Sequence, residues 1–459
     1  MVRFSSWMGR LNSYQSLILS RGVYLPLKKT IFVFAGFLVG PAISALLSFI
    51  IVPITTWMVA PEEFGRMSMY TVVMSLGGLI SYAGLDQAFV REYSCSQDKT
   101  SLFRRCIAIP LVLVSLFSTV FMLGYSYFST LLWGSPTLLG SSLLCLGFIF
   151  SVFDRFASLV IRMQERAWTY SSILIFRQAL RLGFTLIFLK LFSRGYITLI
   201  SASVLSIALS SAAGIFLSRN YWFSPWRSVF NGAALKPLLR FGLPLVPASI
   251  MMWVLNGMDK IALRHWGTFQ DLGVYSAGFK IVGVLSIVNM AFSTFWAPVS
   301  YRWFESGVSV DRFDKVAKYL ALSLTVLAIS LTIARNLIVL LLGPEYRAAS
   351  DLVPFLMFVP IMYLLSEVTG IGIGFSRRSE FHLLASGVAA LSNLIGNWIL
   401  VPLYGAMGAS VATAISYIIF MVLKSVIGSL LWRKNLGQPF VYLMVLIMIG
   451  ASFWVYLGQ

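Results

Sequence analysis

The chain alternates long apolar stretches with short polar connections from residue 29 onwards. A membrane-spanning helix needs about 20 mainly apolar residues, because the hydrocarbon core is ~30 Å thick and a helix rises ~1.5 Å per residue. The alternating ten-residue segments that are typical of a membrane β-barrel do not occur. Stretches of sufficient length, numbered as spans 1–13, cover residues 29–52, 66–88, 104–128, 138–162, 169–192, 196–218, 241–258, 273–299, 317–342, 350–374, 382–402, 407–431 and 438–457. The pattern therefore predicts an all-α polytopic membrane protein with 12–14 transmembrane helices, of which thirteen are identified.

Basic residues are much more frequent in the connections on one side of the predicted membrane than in those on the other side. The chain has 35 Lys and Arg against 16 Asp and Glu, a formal net charge of +19. When basic residues at the ends of spans are counted with the adjoining connection, twenty-three lie on the N-terminal segment and the connections after even-numbered spans, six lie on the other connections, and six lie deeper within spans. Because cytoplasmic loops are enriched in Lys and Arg, this asymmetry predicts a cytoplasmic N-terminus. Most of the positive charge therefore reports orientation, and nucleic acid is not expected as a partner.

Composition narrows the classes of protein further. The chain is 58% hydrophobic and 11% charged, which excludes an ordinary soluble domain or a disordered chain. Its three cysteines and two histidines suggest neither a disulfide framework nor a His-ligated metal centre. All predicted connections are short, so no separate catalytic domain is expected, and we predict that the protein is not an enzyme.

An internal repeat divides the chain. Glu63-Phe64-Gly65 follows span 1 and Asp271-Leu272-Gly273 follows span 7, at a spacing of 208 residues. Six spans separate the copies, so both have the same orientation, as in transporters built from parallel repeats. The predicted units are a cytoplasmic basic arm (1–28), an N-terminal six-helix lobe (29–218), an inter-lobe linker (219–240), a C-terminal six-helix lobe (241–431) and a peripheral additional helix (432–459).

Basic residues within spans are the first candidates for function, because charges in a bilayer are costly. Arg177 and Arg181 share one face of span 5 at i,i+4 spacing. With Arg155 of span 4, they lie roughly 10–18 Å from the predicted cytoplasmic ends of their helices, so the three could converge on one cavity. A guanidinium group suits phosphate or carboxylate. We therefore predict a cationic substrate cavity formed by Arg155, Arg177, Arg181 and Lys280, with snorkelling to the interface as the alternative. Snorkelling is the interpretation favoured for Arg335 and Lys424.

Acidic residues within or near the spans are Asp154, Glu367, Asp86 and Asp259. They are candidates either for proton or cation coupling or for structural pairing with nearby basic residues. Asn393 and Asn397, four residues apart on span 11, are expected to form hydrogen bonds between helices.

A series of short motifs resembles one known family. Each motif is weak alone, but their order along residues 30–430 is specific. The motifs are Pro53 with Pro61-Glu62-Glu63-Phe64-Gly65, Gly84-Leu85-Asp86 with Arg91-Glu92-Tyr93, Arg162-x-Gln164-Glu165-Arg166-Ala167, Arg240-Phe241-Gly242-Leu243-Pro244, Asn256-x-x-Asp259-Lys260, Gly273-x-Tyr275-Ser276 with Lys280, Gly343-Pro344-Glu345-Tyr346, and Asn393-x-x-x-Asn397 with Pro402-x-x-Gly405-x-x-Gly408-Ala409.

This order resembles the O-antigen and capsule flippases of the multidrug/oligosaccharidyl-lipid/polysaccharide superfamily. The resemblance implies a V-shaped, MATE-like bundle in the bacterial inner membrane. It implies translocation of undecaprenyl-pyrophosphate-linked oligosaccharide by alternating access, with no cofactor and with H⁺ or Na⁺ as candidate coupling ions. The partners it implies are the lipid-linked substrate, membrane lipids and the polysaccharide polymerase machinery. Its cationic cavity would correspond to Arg155, Arg177, Arg181 and Lys280.

Two other functions compete with this one. A multidrug or cation antiporter of the same fold would favour carboxylates within the membrane, whereas here basic residues outnumber them. A polymerase or ligase would need a large external loop, and none is predicted. Flipping of a peptidoglycan precursor is a variant of the first function, disfavoured because the motifs match the polysaccharide branch.

Overall fold

The computed structural model describes residues 27–223, 232–432 and 438–457, and they form helices without a strand among them. The helices of the first range are α1 Leu27–Met58, α2 Pro61–Tyr82, α3 Leu85–Glu92, α4 Lys99–Leu123, α5 Tyr125–Trp133, α6 Leu138–Met163, α7 Ala167–Leu191, α8 Tyr196–Leu217 and α9 Arg219–Trp222. Those that follow are α10 Gly232–Gly242, α11 Leu245–Trp266, α12 Phe269–Val282, α13 Leu285–Glu305, α14 Val310–Ile333, α15 Arg335–Val339, the short 3₁₀ helix Pro344–Tyr346, α16 Ala349–Leu356, α17 Phe358–Thr369, α18 Ile371–Phe375, α19 Glu380–Leu431 and α20 Gln438–Leu457.

Ten helices of the described ranges are long and apolar enough to cross a membrane, or up to eleven if the bent pair α2 and α3 counts as one span. The run α19 contains two helices, because Gly405 breaks it with φ 52° and ψ −129°. The final apolar stretch, Gln438–Trp454, is shorter. The predicted all-α multi-pass membrane protein is confirmed, whereas the count of thirteen spans stays a prediction.

Parts of the predicted organisation fall outside the described residues. These parts are nearly all of the basic arm 1–28, residues 224–231 of the linker 219–240, and residues 433–437 and 458–459 of the predicted peripheral segment 432–459. The division into two lobes with a peripheral helix also stays a prediction.

Side-chain caps fix several helix starts on the predicted connections. The Asp98 carboxylate accepts hydrogen bonds from the backbone N–H groups of Thr100 and Ser101 at the start of α4. Thr268 and Asp271 form a reciprocal capping box at the start of α12. These caps satisfy N–H groups that have no partner within the helix, so α4 and α12 begin at defined residues.

A sharp bend separates α2 from α3. Ala83 and Gly84 both have positive φ angles, 49° and 69°, and the two helices are bent by 52°. Gly84 also meets the backbone of Gly242, where a Cβ atom on either residue would collide. The bend carries Asp86 off the line of α2 and places it on α3.

The two sequence copies meet each other near the starts of α2 and α12. A Cβ on Gly65 would collide with the carbonyl oxygen of Phe269, and a Cβ on Gly273 would collide with that of Pro61. Pro61 and Phe269 each stand four residues before the glycine of their own copy. This reciprocity is the contact that two copies related by a two-fold axis produce.

Two connections on the same predicted outer side add further contacts between the two copies. The Tyr346 hydroxyl donates to the Val59 carbonyl at 2.9 Å, which ties the segment after α15 to the corner between α1 and α2. Arg264, at the end of α11, donates to the Leu132 and Thr130 carbonyls of α5 at 3.3 and 3.1 Å. The connection of each copy thus packs against the corner of the other, and this end of the molecule is closed.

Candidate functional site: a cationic cavity

Two adjoining cavities meet at Arg181 on α7. One, of about 350 Å³, is lined by Arg177 and Arg181 together with residues of α2 and α8. The other is narrower and is lined by Arg181 and by Lys280 of α12. The narrower cavity has a volume of about 20 Å³, and Met67 and Ser203 line both cavities, so the two adjoin at these side chains and we treat them as one site. We call this site the cationic cavity and define it by Arg177, Arg181 and Lys280.

No acidic side chain of the described residues lines the cationic cavity. Its polar lining is otherwise neutral and includes Tyr70, Thr71, Thr185, Ser203 and Ser206. The predicted placement of Arg177 and Arg181 on one face of a helix is what brings both into it. The lining therefore combines positive charge with hydroxyl groups, a set of donors suited to an anion.

Arg177 is the cavity cation that has a carboxylate partner. Its guanidinium forms an ion pair with Asp154 of α6. The other carboxylate oxygen of Asp154 accepts a hydrogen bond from the Ser210 hydroxyl of α8 at 2.9 Å. Asp154 is buried, so the pair holds α6, α7 and α8 together, and Asp154 acts as a structural partner in this conformation.

Arg155 lies apart from the cationic cavity. Its guanidinium binds the carboxylate of Asp86 on α3, with an Nη2–Oδ2 distance of 2.5 Å. Arg155 is not among the residues that line either cavity in the described part of the chain. The structure thus brings together three of the four predicted cations and places the fourth in a separate ion pair beneath the bend at Gly84.

Arg181 and Lys280 carry charges that the described residues leave unneutralised. Across the described ranges, no carboxylate oxygen lies within 4 Å of either side chain. The Lys280 ammonium lies 4.7 Å from the ring centre of Phe64, where it faces π electrons. Two unpaired cations within a membrane are the feature of this site that most needs a ligand.

Lys260 is a further cation, and it lies beyond the predicted end of span 7. Its ammonium lies 5.5 Å from the ring centre of Phe279, the residue that precedes Lys280 in the chain. Span 7 was predicted to end at residue 258, whereas the helix α11 continues to Trp266. The apolar run Ile261-Ala262-Leu263 was the signal that could have extended the span.

Asp259 is enclosed by hydrogen-bond donors. The carboxylate is 1% exposed and accepts from the Tyr275 hydroxyl at 2.7 Å and from the side-chain amides of Asn393 and Asn397 at 3.0 and 2.7 Å. The expectation that the two asparagines bond between helices is confirmed. Asn397 Oδ1 is buried with no partner among the described residues, so a spare acceptor lies next to the carboxylate.

The interpretation of Lys424 and Arg335 as snorkelling residues is wrong. Lys424 is 4% exposed and donates to Glu367 at 3.1 Å and to the Ser366 hydroxyl at 3.2 Å. Arg335 is 5% exposed and faces Asp351, with an Nη1–Oδ1 distance of 3.4 Å. Hydropathy gives the depth of such residues but not the neighbours that neutralise them.

Comparison with known proteins supports the sequence-based resemblance. A family model described as polysaccharide biosynthesis protein matches residues 31–304. An Lsg locus protein of Haemophilus influenzae is 25% identical over 330 residues, which cover 68% of this chain and 76% of that relative. An uncharacterized membrane protein of Methanocaldococcus jannaschii is 23% identical over 254 residues, 52% of this chain and 49% of that relative.

Solved structures show the same fold at low sequence identity. The lipid II flippase MurJ in an inward closed conformation matches with a TM-score of 0.64 and 12% identity, covering 92% of this chain and 97% of that one. An inward-facing multidrug resistance MATE family transporter of the MOP superfamily matches with a TM-score of 0.59 and 16% identity, covering 85% and 97%. Since the family match spans more than half of the sequence, this multi-pass membrane protein belongs to the polysaccharide biosynthesis protein family and has the fold of MOP superfamily transporters.

Proposed function

We propose that the protein is a flippase that moves a lipid-linked oligosaccharide diphosphate, of the undecaprenyl-pyrophosphate type, to the outer leaflet of the bacterial inner membrane. The cationic cavity binds the diphosphate, the sugars occupy the polar space around it, and the lipid chain remains in the bilayer. The substrate enters from the cytoplasmic side, and alternating access carries it across. The family match and the MATE-like fold support a transporter of this kind.

The observation that carries this proposal is the unpaired charge of Arg181 and Lys280. A cation held in a membrane interior without a counter-ion is costly. A diphosphate supplies the missing negative charge and several acceptor oxygens at once. Charge-assisted hydrogen bonds are typically worth ~1.5–3 kcal/mol each, so the two side chains could supply much of the headgroup affinity.

The alternative function, export of cationic drugs, is disfavoured because the carboxylates within the predicted spans already have partners. Asp86, Asp154 and Glu367 each have a basic partner. The Asp259 carboxylate accepts hydrogen bonds from neutral side chains, and Asp259 does not line the cationic cavity. A cationic drug would therefore meet positive charge in the cationic cavity, where no carboxylate of the described residues lines the wall to bind it.

We further propose that Asp259 is the coupling site. A proton or a monovalent cation would bind the carboxylate, and the unpartnered Asn397 Oδ1 beside it offers a second oxygen ligand. Because its donors come from α12 and α19, binding there would alter how these helices pack against α11. The isosteric change Asp259→Asn keeps the shape and removes the charge. We expect transport that no longer responds to an imposed H⁺ or Na⁺ gradient, measured in proteoliposomes, and an unchanged gradient response in this variant would refute the assignment.

The function is tested first in cells. Arg181→Ala and Lys280→Ala should each reduce surface polysaccharide by about 10-fold or more, since each removes a charge-assisted contact. Lipid-linked intermediates should accumulate on the cytoplasmic leaflet. The control is Lys190→Ala, which removes an exposed basic residue from the same helix and should have no effect.

Two results would contradict the proposal. One is normal surface polysaccharide in the Arg181→Ala/Lys280→Ala double variant at normal protein levels in the membrane. The other is a deletion strain that becomes sensitive to cationic drugs while its lipid-linked intermediates stay unchanged, which would favour the exporter.

A further inference from the structure

An apolar cavity of about 340 Å³ lies between α2, α4, α5 and α11, and the proposed function above does not use it. Its lining is apolar apart from Arg264 and His265, which lie in the last turn of α11. No acidic side chain of the described ranges lines it. We call this cavity the α2–α11 groove.

The α2–α11 groove opens toward the surrounding bilayer. Three of its lining residues, Ile80, Phe117 and Leu131, are 49%, 40% and 55% exposed. Two of them stand on α2 and α4, which are long and apolar enough to cross the membrane. Exposed apolar side chains at this depth contact lipid chains rather than water. An occupant of the groove therefore comes from the membrane.

The helix α2 separates the α2–α11 groove from the cationic cavity. Met69, Val72 and Leu76 line the groove. Tyr70 and Met74 line the cationic cavity. With 3.6 residues per turn, these two sets point to opposite sides of α2. The groove is thus a separate site, and a lipid other than the proposed substrate is its natural occupant.

The length of the α2–α11 groove matches one lipid chain. Its lining on α2 runs from Met69 to Ile80, a distance of about 16 Å at a rise of ~1.5 Å per residue. Half of the ~30 Å hydrocarbon core is about 15 Å. The groove therefore accommodates one acyl chain from a single leaflet.

Arg264 supplies positive charge at the predicted outer end of the groove. Its Nε and Nη2 groups donate to the backbone carbonyls of Leu132 and Thr130, and its guanidinium carbon lies 4.6 Å from the ring centre of Phe269. Among the residues that the structure describes, no carboxylate oxygen lies within 4 Å of this side chain. The carbonyls and the ring hold the guanidinium in place but leave its charge without a counter-ion, so an anion suits this end of the groove.

His265 and Trp266 place the charged end of the groove at the membrane surface. His265 lines the groove and is exposed, and Trp266 is 40% exposed. Tryptophan is enriched at the membrane–water interface, where lipid headgroups lie. A phosphate at this level would meet Arg264 and His265, and its acyl chain would run inward along α2.

We propose that the α2–α11 groove binds an anionic phospholipid of the outer leaflet, with its phosphate at Arg264 and one acyl chain along α2. A zwitterionic phospholipid has the same phosphate but also carries an ammonium group, which Arg264 repels. The groove is lined by helices from both sides of the linker 219–240, so a bound lipid stabilises the closed outer end. This inference goes beyond the proposed function and does not depend on it.

The test uses the purified full-length protein in detergent and a phosphatidylglycerol that carries a diazirine in the middle of one acyl chain. After irradiation, peptide mass spectrometry should locate the label on the groove residues of α2 and α11. Unlabelled phosphatidylglycerol should displace the probe at least about tenfold more effectively than phosphatidylcholine with the same chains, because it adds no like charge at Arg264.

A bulky substitution tests whether the chain lies in the groove. Val73→Trp fills the groove and should abolish labelling there. Leu76→Phe is a second groove-filling variant, for use if Val73→Trp does not yield folded protein. Leu116→Trp is the matched control, because Leu116 is 60% exposed on α4 and does not line the groove, and it should keep the labelling.

A second substitution tests the recognition of charge. Arg264→Gln keeps hydrogen-bond donors but removes the charge, and should lower the preference for phosphatidylglycerol to less than about threefold. Arg194→Gln is its control, because Arg194 is an exposed basic residue on the same predicted outer side and does not line the groove. It should keep the full preference.

Three results would overturn this inference. One is labelling around Leu116 as strong as in the groove, or groove labelling that persists in both Val73→Trp and Leu76→Phe, since either indicates ordinary boundary lipid. The second is equal displacement by phosphatidylglycerol and phosphatidylcholine. The third is stronger displacement by undecaprenyl phosphate than by phosphatidylglycerol, which would assign the groove to a polyprenyl lipid.

The proposed function is tested separately by the Arg181→Ala/Lys280→Ala variant. Its groove labelling should equal that of the native protein, because α2 lies between the two sites. Loss of groove labelling in this variant would contradict the independence of the lipid site. Normal transport in the same variant would instead contradict the proposed function.

Discussion

At the scale of single residues, Arg177 and Arg181 show what helical spacing reveals and what it omits. Their i,i+4 spacing predicted a shared face, and both line the cationic cavity. Arg177 is nevertheless paired with Asp154, whereas Arg181 has no carboxylate within ion-pair distance in the described ranges. Depth within a span was readable from the sequence, but the partner across the helix interface was not.

This difference separates a structural arginine from a binding arginine. Arg177→Ala leaves the buried Asp154 without a cation, and breaking a buried pair costs ~3–5 kcal/mol. Because the Arg177 side chain retains 29% exposure, we expect a loss of unfolding free energy near the lower end of that range. Thermal unfolding in detergent should therefore show a lower Tm for Arg177→Ala and little change for Arg181→Ala.

A second substitution tests whether the unpaired charge of Asp154 causes the loss of stability. Adding Asp154→Asn to Arg177→Ala removes the stranded charge and should recover most of the lost stability. If the single Arg177→Ala variant is as stable as the native protein, the pair is not structural.

At the scale of helices, apolar patterning located the elements well. Spans predicted at 138–162, 169–192 and 196–218 match α6, α7 and α8 to within about two residues. The differences between the predicted spans and the observed helices are confined to short segments. Residues 300–305, which lie beyond the predicted end of span 8, belong to α13, and the segment 83–84 breaks span 2. Hydropathy averages over a window, so it passes over a two-residue break set by backbone angles.

The crossing of α2 and α12 gives a prediction at this scale. Gly65→Ala places a methyl group against the Phe269 carbonyl, so the helices must move apart where the two copies meet. We expect a substantially larger spacing between spin labels on the first turns of α2 and α12, which lie on the predicted outer side, and at least about tenfold slower transport. Gly183→Ala on α7 is the matched control, because a methyl group there meets nothing within 4 Å.

An unchanged label spacing in Gly65→Ala would contradict the closure at this crossing. A changed spacing in Gly183→Ala would show instead that any added methyl group disturbs the bundle.

At the scale of the whole molecule, the two copies of the sequence repeat, 208 residues apart, meet in a reciprocal contact. Gly65 and Gly273, the glycines of the two copies, pack against each other's helices. The sequence could not show that one end would be closed in this way, since closure depends on contacts between segments hundreds of residues apart. It also could not separate the cations into a cavity pair, Arg181 and Lys280, and a separate ion pair, Arg155 with Asp86.

The central claim is that an unneutralised cationic cavity carries a diphosphate-linked lipid across the membrane. The most direct test is translocation of a fluorescent polyprenyl-diphosphate sugar in proteoliposomes, detected by quenching from outside, for the native protein and the Arg181→Ala/Lys280→Ala variant. We predict protein-dependent translocation that falls by about 100-fold or more in the variant, since two charge-assisted contacts are lost, while Lys190→Ala translocates normally. Equal translocation by the native protein and the double variant would contradict the account.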